Sequence, residues 1–341
     1  MKKILSFIFN IQLFAEEVTD ANTTASSGLS AEMKTYYHKQ LIALMGPALI
    51  FDQFASKKDI PKGSGKTIEF RRFEDLSDDL GEAVLVENRI PDGQELSVQT
   101  INAEISQFGR YIKIGDVAEK TMIDPILAEG TKKIAEQASR IANKITREKM
   151  LEGTNVMYCP KVASNGAETE VTSRTDLDSS CKLRVKDIFK AATQLKAVNA
   201  PKIGDSYVAT IHPNVAFDIM MEAGDKWIDI QKYSNPEAIF KGEIGKIGGV
   251  RFVESTENKI YNESGSNAVY CTFVMGEEAY ATTGLEGVGV EHIFHDKHEI
   301  GGALDQFSTV GWKLLKTAEI LKDDYLIRIE SGSSYNNAAA N

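Results

Sequence analysis

The spacing of hydrophobic positions changes along the chain, and each change predicts a different kind of element. Between residues 60 and 116 apolar and polar side chains alternate with a period of two, which is typical of half-buried strands. The alternation predicts strands at 67–73, 96–105 and 107–114. We interpret this region as a long two-stranded excursion from the body of the protein.

The following region has helical spacing instead. Pro125 stands at a first helical position and Gly153 follows the last periodic residue, so one strong helix is predicted over 124–151. Its apolar stripe is spaced by three and four residues and consists of Ile134, Ala138, Ile141 and Ile145. A shorter helix is predicted over 30–45, where Gly46 and Pro47 stop it.

Beyond residue 180, helices and strands are interleaved without a regular strand–helix repeat. Helices are predicted at 185–198 and 214–221, and strands at 207–211, 249–254, 269–275, 309–316 and 325–330. This order predicts an α+β fold and argues against a doubly wound parallel sheet. The segments 16–30 and 331–341 are small and polar, so we expect a mobile arm and a frayed tail.

Composition narrows the class of protein. The 341 residues are 42% hydrophobic and 26% charged, as expected for a folded chain of about two or three compact parts. A formal net charge of −10 disfavours a nucleic-acid-reading module or an anionic membrane as partner. No run of about 18 apolar residues could span a bilayer. Cys159, Cys181 and Cys271 lack the spacing of a disulfide framework or a zinc site.

The charges are distributed unevenly between the two predicted elements. Residues 74–95, at the tip of the excursion, carry eight carboxylates against Arg89 alone, a net charge of −7. Residues 131–150, in the predicted helix, carry six basic side chains against Glu136 and Glu148, a net charge of +4. An acidic tip of this density must either stay solvated or meet a positive surface.

Two motifs resemble ligand-binding loops but lack essential positions. Residues 63–67 read GSGKT, like the end of a phosphate-binding loop. Ile60 stands where its first glycine is needed, however, and a strand follows instead of a helix. Residues 75, 77 and 79 have the first spacings of a calcium loop, but Leu80 and Val86 replace its glycine and final glutamate. We expect neither nucleotide nor calcium binding.

The remaining candidates for a metal-binding or catalytic site are histidines. His292, His295 and His298 recur every third residue beside carboxylates, which are the residue types that bind zinc. Neither a strand nor a helix brings all three together, so only a loop could gather them. We expect no metal, and an ion site stays open as an alternative. His212 and Pro213 are interpreted as a strand end and a helix start. No active site is evident, which favours a structural or binding role without a cofactor.

The N-terminus supports a competing interpretation. Lys2 and Lys3 precede an apolar stretch at 4–15, as in a secretory signal, although Leu13 is too large for the usual cleavage pattern. A secreted or cell-surface self-assembling layer protein is therefore kept as an alternative. An enzyme built on the histidine cluster is the third hypothesis.

Seven motifs occur in a fixed order along residues 29–330. They are LSAEMKTYY (29–37), FDQFASKKDIPKGSGKTIEFRRF (51–73), QFGRYIKIGD (107–116), EGTNVMY (152–158), IHPNVAFDI (211–219), GEIGKIGGVRFVEST (242–256) and DQFSTVGWK (305–313). Together they resemble the major capsid proteins of tailed bacteriophages and prophages. NIQLFAEE at 10–17 resembles the opening common in phage structural proteins, which weakens the interpretation as a secretory signal.

The resemblance implies the capsid fold shared by tailed phages and herpesviruses, and it implies boundaries for this chain. We expect a flexible leader (1–28), an N-terminal arm (29–59), an extended β-hairpin loop (60–115), a peripheral domain with a long spine helix (116–200), an axial domain (201–304), return strands of the peripheral domain (305–330) and a flexible tail (331–341).

The same resemblance implies a function. The chain is expected to be a non-enzymatic subunit that self-assembles through hexameric and pentameric capsomers into an icosahedral shell around double-stranded DNA. Assembly is expected in the bacterial host cytoplasm, with no membrane partner and with scaffold, portal or decoration proteins as candidate partners. The localisation implied is the virion capsid.

The resemblance also suggests which residues join subunits, because the extended loop of one subunit lies over the peripheral domain of its neighbour in this fold. We expect an acidic set in one chain to face a basic set in the next: Asp78, Asp79 and Glu82 against Lys133, Arg140, Lys144 or Arg147. The alternative is that the basic helix face points inward to packaged DNA.

Overall fold

The computed structural model describes residues 49–73, 76, 78–85, 93–121, 126–163, 165–223, 243–262, 267–285, 289–300 and 302–341. In chain order its strands and helices are β1 (Ser56–Lys57), β2 (Thr67–Phe73), α1 (Leu80–Ala83), β3 (Val98–Glu104), β4 (Ser106–Gly115), α2 (Asp116–Thr121), α3 (Ile126–Leu151), β5 (Val156–Tyr158), β6 (Lys161–Val162), β7 (Glu168–Thr169), α4 (Val185–Ala197), β8 (Tyr207–Ile211), α5 (Pro213–Ala223), β9 (Glu243–Ile247), β10 (Val250–Glu254), β11 (Ile260–Tyr261), β12 (Val269–Met275), β13 (Tyr280–Thr283), β14 (Glu291–His295), α6 (Lys297–Ile300), β15 (Phe307–Ile320) and β16 (Leu326–Ser331).

Two larger sheets organise the described part of the chain. In the first, the long strand β15 pairs antiparallel with β4 on one side and with β13 and β14 on the other, and β1 adds to β13. The second runs in the order β5-β16-β12-β8-β10-β9, with β11 paired to β12. Both parallel and antiparallel pairs occur in it. The mixed pairing confirms the predicted α+β class.

The long helix α3 packs across one face of the first sheet. Residues spaced by three and four along α3, among them Ile134 and Ala138, are buried against Val310, Trp312 and Leu314 of β15. A Cβ on Gly130 would lie 2.8 Å from Ile112 Cδ1 of β4, so a larger residue there would displace the Ile112 side chain. The face of the sheet that carries these even-numbered side chains is therefore covered by α3.

The second sheet is covered by the helices α4 and α5. Ile188 and Leu195 of α4 and Val215 and Ile219 of α5 are fully buried in one apolar cluster. The strand β8 is buried along its whole length, as expected for a strand between two neighbours with both faces packed.

Most predicted elements are confirmed to within a few residues, but the long excursion differs. The third predicted strand, β4, does not join β2 and β3; it pairs with β15 over ten residues, from Ser106–Lys316 to Gly115–Phe307. Alternation shows that a segment is a strand but does not identify its partner. The hairpin is therefore formed by β2 and β3 alone.

Sheet membership also cuts across the predicted domain boundaries. The segment 201–304 supplies β13 and β14 to the first sheet, whereas β16, predicted as a return strand, lies in the second sheet with β5. The expected boundaries therefore do not coincide with the two sheets, and the division into domains stays a prediction. The leader at 1–28 and the helix predicted at 30–45 lie outside the described residues.

The tail is packed rather than flexible, so this prediction is wrong. The Ser333 hydroxyl donates to Asp218 Oδ2 at 2.9 Å, and the Tyr270 hydroxyl donates to the Asn336 carbonyl at 2.6 Å. The Asn341 side chain donates to the Asn258 carbonyl at 2.6 Å. Here Ser and Asn residues of the tail form hydrogen bonds with a neighbouring layer of the structure. Composition alone does not distinguish such a bonded tail from a solvated one.

Among the described residues, none of the helices combines the length and the apolar character that crossing a bilayer requires.

Candidate functional site

Among the described residues, the hairpin β2–β3 contacts the rest of the chain near its base. The two strands pair antiparallel from Thr67–Glu104 to Phe73–Val98. Near the base, Phe70 and Ala103 are buried against Ala281 of β13. Beyond Phe73 the described side chains of the hairpin are exposed.

We use the name hairpin tip for the described residues 76, 78–85 and 93–97. Its short helix α1 is capped by Asp79, whose carboxylate accepts a hydrogen bond from the Gly81 amide at 3.0 Å. Leu80 is 82% exposed and Leu85 is 74% exposed, and both stand close in sequence to the exposed Asp78. Glu82 lies in α1, and its side chain is outside the described positions. The tip thus combines uncovered apolar and acidic side chains.

The basic residues predicted on α3 differ in their environments. Lys133 donates to Glu136 Oε2 at 3.0 Å, while Arg140 and Lys144 are exposed. The Arg147 side chain is 3% exposed, and its guanidinium donates to the Glu257 carbonyl at 2.7 Å and to Glu148. Position 147 falls on the buried face of α3, so the prediction that Arg147 is an inter-subunit contact is wrong.

The face of the first sheet that points away from α3 contains a groove of about 500 Å³, which we call the sheet groove. It lies between β4, β14 and β15 and is lined by Tyr111, Lys113, Ile293, Phe307, Thr309 and Gly311, among others. These odd-numbered positions of paired strands share one face because side chains alternate along each strand. The motif search did not identify this groove, because its residues come from three separate segments.

Two contacts shape the sheet groove. The Lys113 ammonium lies 3.4 Å from the Phe307 ring centroid, a cation–π contact that holds both side chains in place. Tyr111 is 72% exposed beside Gly311. A Cβ at position 311 would lie 2.9 Å from the Tyr111 Cβ, so glycine keeps the floor of the groove open.

A second groove of about 400 Å³ runs along α3, and we call it the helix groove. Phe108, Ile141 and Ile145 supply its apolar wall. Its charges are mixed, because Lys144 and Lys149 are accompanied by Glu148 and Glu152. In contrast, Arg110, Lys113 and Lys313 line the sheet groove with no carboxylate among its lining residues. Lys313 itself pairs with Glu291 at 3.3 Å.

The three histidines have separate carboxylate partners where the structure shows them. His295 Nδ1 lies 2.9 Å from Glu299 Oε2, and His298 Nδ1 lies 2.8 Å from Asp305 Oδ2. His292 stands on the strand face opposite to that of His295. Within the described residues no three metal-ligating side chains converge, and the expectation of no bound metal stays a prediction.

The other two candidate motifs occupy ordinary turns. Gly63 and Gly65 adopt positive φ in a turn that leads into β2, and Lys66 donates to Glu104 across the hairpin at 3.1 Å. Pro213 begins α5 directly after His212, whose Nδ1 accepts a hydrogen bond from the Asn214 amide at 3.2 Å. Burial lowers the pKa of His212 to about 4, so the ring is neutral near pH 7.

Buried ion pairs hold the layers of the structure together. The Lys316 ammonium on β15 lies 2.7 Å from both Asp52 carboxylate oxygens and donates to the Ala142 carbonyl at 2.9 Å. Thr146 donates to the same Asp52 carboxylate at 2.8 Å. Burial lowers the pKa of Lys316, and the carboxylate opposes that effect. This network fixes residue 52 against α3 and β15.

Comparison with known proteins identifies the architecture. No protein-family model matches the chain, and no curated protein matches it. The solved capsid of Ralstonia phage GP4 is similar over 84% of this chain and 89% of its own, with a TM-score of 0.65 and 14% identity. The chain has the tailed-phage capsid fold. The capsid of cyanophage P-SCSP1u, at 15% identity, covers the same shares with a TM-score of 0.59.

A third similar structure is the head of Helicobacter pylori bacteriophage KHP40, which has a TM-score of 0.57 and 11% identity. It covers 84% of this chain and 90% of its own. These comparisons confirm the fold that the resemblance implied. In the capsid fold α3 is the spine helix and β2–β3 is the extended hairpin. The residue boundaries between the peripheral and axial domains stay predictions.

Proposed function

We propose that this chain is a major capsid subunit that self-assembles through hexameric and pentameric capsomers into an icosahedral shell enclosing double-stranded DNA. The observation that carries the proposal is the capsid fold, which the chain shares with phage capsids over most of its length. A structural, non-enzymatic role belongs to the same proposal.

The exposed end of the hairpin supports self-assembly on physical grounds. A two-stranded hairpin is marginally stable in water, and the described contacts of this one with the body lie near its base. Its exposed leucines would lower their free energy by burial against another surface. In a symmetric assembly an identical subunit provides that surface, so no second kind of chain is needed.

The exposed basic side chains of the spine helix suggest a role for the face of α3 that points away from the sheet. Lys132, Lys133, Arg140 and Lys144 are exposed, and clustered cations bind nucleic-acid phosphates without reading sequence. We propose that this surface can face packaged DNA. Scaffold, portal and decoration proteins remain candidate partners, and assembly in a bacterial cytoplasm belongs to the same proposal.

Electron microscopy of the purified, concentrated chain tests the assembly directly. Closed shells are expected in at least one of several salt and pH conditions, and most readily at low salt. Flat lattices would favour the alternative, a secreted or cell-surface layer protein, which only the N-terminal sequence supports. A strictly monomeric species at high concentration, measured by light scattering, would reject both forms of self-assembly.

The acidic tip predicts a charge-dependent contact between subunits. Charge reversal at Asp78 and Glu82, with Asp79→Asn to keep the helix cap, should block shells while the monomer stays folded. Each exposed pair contributes only about 0 to 1 kcal/mol, so the cluster acts together and weakens with salt. Rescue by Arg140→Glu with Lys144→Glu would place the partner on the spine helix. Arg147 is left unchanged because it is buried.

A further inference from the structure

The turn between β6 and β7 contains an asparagine that is followed by a glycine, Asn165 and Gly166. No other asparagine in the sequence precedes a glycine. Both residues are exposed. The turn is closed by hydrogen bonds from the Ala163 amide to the Ala167 carbonyl at 3.0 Å and from the Gly166 amide to the Ala163 carbonyl at 2.8 Å. The Asn165 side chain therefore stands at the surface beside a backbone nitrogen whose residue has no side chain.

The surroundings of Gly166 leave its backbone accessible. Gly166 has a φ of +82°, and no atom beyond the adjoining residues lies within 4 Å of the position that a Cβ would occupy. A β-carbon at this position would strain the backbone and would also cover the neighbouring nitrogen. Glycine avoids both effects, so the nitrogen can approach the side chain of the preceding residue.

The Ala167 amide favours a reaction at the Asn165 side chain. It donates a hydrogen bond to Asn165 Oδ1 at 3.0 Å. When a nucleophile attacks the Cγ of a carboxamide, this oxygen becomes negatively charged, and a backbone N–H that already points at it stabilises the charge. The bond from the Gly166 amide to the Ala163 carbonyl must open first. The strands β6 and β7 pair over only two residues each, so this opening costs little.

We propose that Asn165 is a site of spontaneous deamidation. The Gly166 backbone nitrogen loses its proton to solvent and attacks Asn165 Cγ, which forms a cyclic imide, and the side-chain nitrogen leaves as ammonia. Water then opens the imide at either carbonyl and gives aspartate or isoaspartate. No oxidant and no enzyme is required. The inference goes beyond the proposed function, because the reaction needs only one chain. In the proposed shell, the modified fraction would rise with the age of the particle.

The two products would affect the hairpin differently. Either one adds a negative charge close in sequence to Glu168, whose carboxylate accepts hydrogen bonds from Arg184 at 3.0 Å and from Lys186 at 2.9 Å. Isoaspartate also routes the main chain through its own β-carbon, which lengthens the turn. The hydrogen bonds between Ala163 and Ala167 fit the shorter turn, so isoaspartate should open the hairpin and aspartate should not.

Timed incubation of the full, folded chain at neutral pH, followed by peptide mass spectrometry, tests the site. An unincubated sample corrects for reaction during digestion. Asn199 is the matched control in the same molecule: it is exposed in the turn after α4, and the amide that follows it, of Ala200, donates to the Leu195 carbonyl at 2.9 Å. Deamidation at Asn165 should be at least about tenfold faster than at Asn199, with isoaspartate among the products. Equal rates at the two positions, or aspartate without isoaspartate, would overturn the proposal.

A variant tests the imide route independently. Asn165→Gln keeps the carboxamide but needs a larger ring, so modification at position 165 should be slower by about tenfold or more. An unchanged rate contradicts attack by the Gly166 nitrogen.

Hydrogen exchange measures the consequence for the hairpin. Residues 161–169 should exchange faster in the isoaspartate fraction than in the fresh chain, while the variant Asn165→Asp should exchange like the fresh chain. Equal exchange in all three would show that the turn accommodates the longer backbone, which would reject the expected opening.

Discussion

The hairpin tip and the body formed by α3 and β15 use the same kinds of residue in opposite ways. In the body, Trp312 is 2% exposed and packs under the helix, while in the tip Leu80 is 82% exposed. In the body, Lys316 and Asp52 satisfy each other inside the protein; in the tip, Asp78 is open to solvent. The described residues of the body therefore bury their side chains against one another, whereas in the proposed assembly the tip gains its burial from another chain.

The first prediction concerns the packing of the body. Trp312→Ala should reduce the free energy of unfolding by about 3 to 5 kcal/mol, because it removes a large buried side chain and leaves a cavity under α3. Chemical denaturation of the unassembled chain measures the loss. A reduction below about 1 kcal/mol would mean that α3 and β15 are not packed as described.

The second prediction concerns the buried ion pair. Asp52→Ala should cost about 3 to 5 kcal/mol in the same denaturation experiment, because the Lys316 ammonium stays buried without its carboxylate. Combining it with Lys316→Met should recover most of that loss, since no charge is then left unpaired. A double variant as unstable as the single one would show that the network acts through shape rather than charge.

The third prediction is a pH dependence that arises at the second sheet, where His212 lies between β8 and α5. The folded pKa of His212 is about 4, below the unfolded value of about 6.5. Between these values the unfolded chain binds the extra proton, so stability falls as the pH drops from 6.5 towards 4, by up to about 3 kcal/mol. Unfolding curves of His212→Asn should lack this component. An identical pH dependence in both proteins would contradict the assignment.

The fourth prediction concerns the tip. Leu80→Ala should leave the free energy of unfolding of the unassembled chain within about 0.5 kcal/mol, because the side chain is exposed. The same variant should raise the concentration needed for assembly about tenfold, as read by light scattering. A large loss of monomer stability would show that the tip is part of the body after all.

The sequence predicted the positions of helices and strands well, but it did not predict which distant strands pair with each other. Helical spacing located α3, and alternation located β2 and β4. The partner of β4 is β15, about two hundred residues later, and no local pattern encodes that register. The tail was mispredicted for a related reason, because hydrogen bonds such as Ser333 to Asp218 depend on a distant element.

The candidate surfaces divide in the same way. The acidic tip was visible as a run of carboxylates in one segment. The sheet groove was not, because Tyr111, Ile293 and Phe307 become neighbours only when three strands pair. Arg147 shows the converse error: its charge suggested an exposed contact, whereas its position on α3 places it in the interior.

A high-resolution electron-microscopy reconstruction of particles assembled from the purified chain tests the central claim most directly. The account predicts a closed icosahedral shell in which the hairpin tip of each subunit, with Leu80 at its centre, is buried against a neighbouring subunit. Dispersed monomers, flat lattices, or shells in which the tip stays exposed to solvent would contradict it.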